Sequence, residues 1–122
     1  MTPSLILVVE DNPEMNAYIA DVLGTHYRVA TAFDGQEGLD KALVLNPDLI
    51  VCDAMGPRLN GEALVRALRQ HPELKQVPIF MLTDRQDENL RVKLLQTGVQ
   101  DCLAKPFSPE DLRAGVDSLL AQ

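Results

Sequence analysis

The chain is poor in the residues that build soft-metal and disulfide frameworks. Cys52 and Cys102 are its only cysteines; they lack metal-type spacing and both fall inside strand-like runs. Buried free thiols in a reducing compartment are therefore expected in place of a bridge. His26 and His71 lie in turn-like segments and read as solvated side chains, not ligands. Neither a GxxxxGK[ST] loop nor a GxGxxG loop occurs, so the chain has no nucleotide pocket of its own and any phosphoryl donor must come from outside. Long apolar runs are also missing. Leu5 to Val9, the run nearest the start, is too short for a secretory core and has no basic leader, and no stretch could span a bilayer. A cytoplasmic location without a membrane partner is expected. Positive charge is scarce: 11 basic residues against 18 acidic give a net charge of -7, which phosphate backbones repel, so no direct nucleic-acid partner is expected. No linker or low-complexity segment interrupts the 122 residues, 46% of them hydrophobic, which suits one packed core and a single domain over 1–122.

What the sequence does contain is a regular alternation of strands and amphipathic helices. Leu5 to Glu10 reads as a strand, followed by Asn12 as a helix cap, Pro13 at the first helical position, and an inward face of Met15, Ile19, Val22 and Leu23 ending at Gly24. Tyr27 to Ala32 predicts a second strand, and Gly35 to Leu45 a helix with Leu39, Ala42 and Leu43 inward, stopped by Asn46 and Pro47. Leu49 to Asp53 predicts the third strand; after a Gly/Pro/Asn loop, Leu64, Val65 and Leu68 mark a third helix before Pro72. Pro78 to Leu82 is the fourth strand, and Asp87 and Glu88 open a helix with Leu90, Leu94 and Leu95 inward and Gly98 as its stop. Asp101 to Ala104 is the fifth strand, and Ser108 with Pro109, Glu110 and Asp111 starts a last helix through Leu112, Val116, Leu119 and Leu120. Such alternation implies right-handed crossovers and a doubly wound, five-stranded parallel α/β sheet with helices on both faces. Pattern alone leaves the strand order open. If it is the flavodoxin-like 2-1-3-4-5, strands one and three are neighbours at the switch point.

Asp11, Asp53, Thr83 and Lys105 each stand at or just past the carboxyl end of an apolar run. In an open parallel sheet those ends form one rim, where ligands bind. Each residue has an ordinary explanation of its own: acids at a helix start, a turn aspartate, a capping hydroxyl, a solvated lysine. Their coincidence on one edge points to a site. Glu10, Asp11 and Asp53 together would repel one another unless a cation compensated. Hard oxygen ligands with positions left for water and a phosphate suit Mg²⁺. A carboxylate beside such an ion can attack phosphorus, with Lys105 and Thr83 available to hold the phosphoryl oxygens.

These residues resemble the signature of the receiver domain of two-component response regulators over essentially the whole length. Leu5-Ile6-Leu7-Val8-Val9-Glu10-Asp11-Asn12 is similar to the family's first strand and acidic pair, and Asp34-Gly35 to its second turn. Asp53-Ala54-Met55-Gly56-Pro57-Arg58-Leu59-Asn60-Gly61 is similar to its phosphoacceptor strand and loop, and Met81-Leu82-Thr83 and Lys105-Pro106-Phe107 complete the set. The resemblance implies that Asp53 accepts phosphate from a phosphohistidine. It further implies that Glu10, Asp11, Asp53 and the Met55 carbonyl organise Mg²⁺, that Thr83 and Lys105 bind the phosphoryl group, and that the Lys105–Pro106 bond is cis. A histidine kinase or phosphotransfer domain would be the donor, and an effector or sensor domain in the same or another chain the recipient of the signal. The domain would assist its own phosphorylation and dephosphorylation without being an enzyme in the ordinary sense. Stretches such as Tyr27 to Ala32 and Arg91 to Leu95 resemble receivers attached to hybrid sensor kinases.

Three positions depart from the family pattern. Gly56 replaces a common bulky apolar residue, Asp84 follows Thr83 where a small residue is usual, and Cys102 replaces the aromatic before the lysine. Asp84 and Cys102 therefore bear on phosphate access and on the switch, and they keep open a receiver-like interaction module with an impaired switch. A free-standing phosphatase or flavin protein of similar topology is a further reading, disfavoured by the missing cofactor loop.

Overall fold

The strands form where apolar, β-branched runs can be buried on both faces. The computed structural model describes residues 2–56, 59–84 and 88–121. Its main sheet contains β1 (Leu5–Val9), β2 (Arg28–Ala32), β3 (Leu49–Asp53), β4 (Ile79–Thr83) and β5 (Asp101–Ala104), all parallel and ordered 2-1-3-4-5. Every residue of β3 and β4 is buried, as expected of central strands sandwiched between helices. The helices are α1 (Pro13–Gly24), α2 (Gly35–Leu45), α3 (Gly61–Arg69), α4 (Glu88–Thr97) and α5 (Pro109–Leu120). Side chains alternate along each strand, so the sheet supports two cores. Ile6, Val8, Val51, Phe80 and Leu82 pack with Ile19 and Leu23 of α1 and Leu112 and Val116 of α5. Leu7, Val9, Ile50, Cys52 and Met81 pack on the other face with Ala42, Leu64, Leu68 and Leu94 from α2, α3 and α4.

Asn12 and Ser108 cap their helices as anticipated from sequence, and Asp34 and Asn60, read there as turn and loop residues, are caps as well. The side chains of Asn12, Asp34, Asn60 and Ser108 accept from the backbone N–H of Met15, Glu37, Ala63 and Asp111. Each cap follows the carboxyl end of a strand or its loop, so the same edge that gathers the acids also gathers positive helix ends. Asn46 closes α2 in the left-handed region at φ 50°, and Gly98 ends α4 at φ 115°.

Some details differ from expectation. Tyr27 and Pro78 lie just outside β2 and β4, and Thr83 is the last residue of β4. Within α4 only Leu94 is buried, with Leu90 partly buried against the same core, and Leu95 is 38% exposed. Cys52 is buried as expected, but Cys102 is only half-buried, since β5 is an edge strand that is half-covered throughout. Both are free thiols. His26 is exposed and His71 half-buried. The segment after Asp53 carries a two-residue antiparallel pairing of Met55–Gly56 with Leu59–Asn60, and Pro72–Leu74 forms a short 3-10 turn. Asp87 as a helix opener, Pro57 and Arg58 in the loop, and the packing of the Met55 side chain lie outside the described residues.

Candidate phosphoryl and metal site

At the end of β1 the chain is held by a residue that the sequence reading did not single out. The Asn16 amide, 2% exposed, donates to the carbonyls of Glu10 (3.0 Å) and Ala32 (3.1 Å), and the Glu10 N–H donates to Ala32 (3.0 Å). These bonds tie the ends of β1 and β2 together and fix the backbone that presents Glu10 and Asp11. The available signal was a polar residue heading the buried stripe Asn16, Ile19, Leu23 on α1. Truncating it should strand a buried carbonyl at a cost of about 1–3 kcal/mol. Asn16→Ala should accordingly show a lower denaturant midpoint with an unchanged slope; an unchanged midpoint would contradict this role.

Glu10 is 1% exposed and Asp53 4%. With Asp11 they bring three carboxylate oxygens within 4.8 Å of one another. Burial pushes the Glu10 carboxyl up to about 7, reinforced by Asp53 and Asp11 and opposed by the Asn12 N–H and Lys105. Oε2 of Glu10 accepts from Asn12 N–H at 3.1 Å, whereas Oε1, fully buried, finds no hydrogen-bond partner among the described residues and faces Lys105 Nζ only at 3.6 Å. A buried carboxylate oxygen left in this state, beside two further hard oxygen donors, fits a divalent cation of the Mg²⁺ or Ca²⁺ kind. Met55 follows Asp53 by two residues and its backbone is paired with Asn60.

From β5 comes the opposing charge. Lys105 Nζ lies 3.4 Å from Asp53 Oδ1, 3.6 Å from Glu10 Oε1 and 3.6 Å from Asp84 Oδ1. Desolvation pulls the Lys105 pKa down, but the carboxylates of Asp53, Glu10 and Asp84 outweigh it and the net shift is upward. Its backbone N–H donates to the Thr83 carbonyl at 2.6 Å, and the bond to Pro106 is cis, as the resemblance implied. Thr83 is 5% exposed and one residue beyond Leu82, the register partner of Asp53. Asp84, by contrast, has a side chain 63% exposed and is turned toward the lysine. Cys102 stands apart, in register with Met81 and packed against the α4-side core.

Gly61 explains how the loop returns so close to Asp53. A Cβ there would sit 2.7 Å from the Asp53 carbonyl oxygen and 2.9 Å from Ala54 Cα, and backbone cannot yield. The glycine reads as a turn residue in sequence; close approach is its physical reason.

Residues 6–117 match the response regulator receiver domain family. Hybrid signal transduction histidine kinase D of Dictyostelium discoideum is 53% identical over 116 residues, which are 95% of this chain and 8% of that protein. Sensor histidine kinase TmoS of Ectopseudomonas mendocina is 45% identical over 95% of this chain and 12% of its own length. Response regulator ArlR of Staphylococcus aureus is 37% identical over 94% of this chain and 52% of its own. The chain thus spans only part of each of these relatives. Among solved structures, a putative response regulator from Chloroflexus aurantiacus superposes with a TM-score of 0.92 at 35% identity, covering 99% of this chain and 100% of that one. The receiver domain of a Pseudomonas aeruginosa sensor histidine kinase, with a magnesium ion coordinated in its active site cleft, gives 0.89 at 32% identity, covering 99% and 100%. The two-core parallel sheet, the acid-lined rim and these likenesses lead to one conclusion: the chain belongs to the response regulator receiver domain family, the phosphoacceptor domains of two-component signalling.

Proposed function

We propose that Asp53 is the phosphoacceptor of this chain and takes its phosphoryl group from the phosphohistidine of a histidine kinase or phosphotransfer domain. The observation that carries this reading is the convergence on Asp53 of a lysine at 3.4 Å and two further carboxylates within 4.8 Å. A carboxylate oxygen of Asp53 attacks phosphorus, the bond from phosphorus to the imidazole nitrogen breaks, and its electron pair leaves on that nitrogen, giving an acyl phosphate. Lys105 and the Thr83 hydroxyl hold the phosphoryl oxygens as charge builds on them. Glu10, Asp11, Asp53 and the Met55 carbonyl hold Mg²⁺, which when bound supplies the positive charge that offsets repulsion between acids and phosphate. Residues 1–122 act as one unit, a stoichiometric switch in the cytoplasm that passes its state to an effector or sensor domain in the same or another chain. Among the described residues no helix is long and apolar enough to cross a membrane. The net charge of -7 weighs against direct contact with nucleic acid. Incubation with a phosphorylated histidine phosphotransfer domain and Mg²⁺ should place at most one phosphate on each chain at any time. Sustained turnover of small phosphoesters would make it a phosphatase instead.

Asp84 modulates that transfer. Its carboxylate competes for Lys105 and adds a like charge to the path of an incoming phosphate, a repulsion of about 1–3 kcal/mol at ~6 Å that exposure to solvent holds near the lower end. Asp84→Ala should be labelled roughly three- to tenfold faster by acetyl phosphate, with the gain shrinking as salt rises. Equal rates at every ionic strength would remove Asp84 from the entry path.

Cys102 limits the output. A modification shifts a conformational equilibrium only through contacts that differ between states, and a small half-buried thiol offers fewer of these than a rotating ring. Amide exchange should therefore slow around Asp53 and Thr83 on phosphorylation, with little change along β5 and α5. Cooperative protection from Cys102 through Glu110 to Leu120 would show a switch that works without the aromatic.

A further inference from the structure

We infer that Arg69 pins the carboxyl end of α4, so that α4 answers phosphorylation as a lever pivoting at Gly98; this rests on reading Asp53 as the phosphoacceptor. Arg69 is the last residue of α3. Its Nη1 donates to the Leu74 and Lys75 carbonyls at 2.8 and 3.1 Å, and its Nη2 to the Gly98 carbonyl at 2.8 Å and to Gln100 Oε1 at 3.1 Å. The same Gln100 oxygen accepts from Ile79 N–H at 2.7 Å, and Gln100 N–H donates to the Ile79 carbonyl at 3.0 Å. One planar fork thus ties the end of α3, the 3-10 turn and the end of α4 to the starts of β4 and β5. It does so at the amino edge of the sheet, opposite the rim that carries Asp53 and Thr83.

The two ends of α4 are seated differently. At the carboxyl end Gly98 N–H donates to the Leu95 carbonyl at 3.3 Å and Val99 N–H to that of Leu94 at 3.2 Å, with Leu94 and Val99 both buried. This is a Schellman closure with its apolar contact, and the Gly98 carbonyl just beyond it is the one that Arg69 holds. Toward the amino end Glu88, Asn89, Arg91 and Val92 are exposed. Arg91 and Lys93 reach Asp101 and Glu62 only at 3.6 and 3.4 Å, from side chains that are 51% and 62% exposed, and ion pairs of that kind hold little. The amino end is also the one that follows Thr83 and Asp84 in the chain. A displacement starting at Thr83 therefore enters α4 at its lightly held end and dies away at the pinned one.

Amide chemical shifts recorded with Mg²⁺, before and during exposure to excess acetyl phosphate, test this in the parent, Arg69→Met and Arg69→Lys. In the parent the phosphorylation-induced changes should fall along α4, to less than about one third of the Glu88 value at Gly98 and Gln100. Arg69→Met should bring the changes at Gly98, Val99 and Gln100 up to the size seen at Glu88, with Asp53 labelled at the parent's rate. Arg69→Lys keeps the charge and secures a folded variant if the methionine does not, but a single ammonium cannot span acceptors on both sides, so it should release the pivot as well. Changes of equal size from Glu88 to Gln100 in a labelled parent would overturn the inference and leave the phosphoacceptor standing. A lysine variant with the parent's gradient would overturn it too, even if less stable, because the guanidinium would then serve the fold alone. A parent that takes up no phosphate would remove the phosphoacceptor reading and the inference with it.

Discussion

Asp53→Asn should take up no phosphate from acetyl phosphate or from a phosphohistidine donor under conditions that fully label the parent. The amide is nearly isosteric with the carboxylate but lacks the anionic oxygen that forms the new bond to phosphorus. The fold should survive, because the side chain keeps its shape within the buried end of β3 and Lys105 retains Glu10 and Asp84 as partners at 3.6 Å each. It also removes one of the charges that hold Glu10 up near 7. The variant should therefore unfold no earlier than the parent, which separates lost chemistry from lost structure. Stoichiometric labelling of Asp53→Asn would show that another side chain accepts the phosphate.

The second large effect is expected at the metal. Removing Asp11 takes away one of very few charged oxygens for an ion that otherwise prefers its own water shell. Loss of an outer partner of a metal ligand commonly weakens binding roughly 10- to 100-fold, and loss of the ligand itself should exceed that. Asp11→Ala should consequently show no saturable Mg²⁺ response over the range that saturates the parent, and acetyl phosphate labelling should fall in parallel. Binding as tight as the parent's would mean that Glu10 and Asp53 hold the ion without Asp11.

Much of this site was legible before any coordinates because its residues end their apolar runs. Asp53 terminates β3, Thr83 terminates β4, and Glu10 and Lys105 immediately follow β1 and β5, so strand pattern and parallel topology together place them on one rim. The two-core architecture was equally readable, since central strands must be apolar on both faces. Asn16 was not. Periodicity ranks it as a polar intruder beside Met15, yet Met15 is half-buried and Asn16 buried, because backbone carbonyls from two strands satisfy its amide. A linear pattern carries no information about such partners. Gly61 was read as a turn former, whereas steric approach of the Asp53 and Ala54 backbone accounts for it. The sign of Asp84 was visible in sequence, but not its orientation toward Lys105. For α4, Leu95 matched the apolar periodicity and still faces outward, since a helix with one buried leucine uses only part of its apolar surface.

The most direct test of the account locates the acyl phosphate in the parent protein. After brief exposure to acetyl phosphate with Mg²⁺, borohydride reduction and peptide mass spectrometry should find a single modified residue, Asp53, and none when Mg²⁺ is withheld. Modification at another residue, or equal modification of Asp53 without the metal, would contradict the phosphoacceptor site described for this receiver domain.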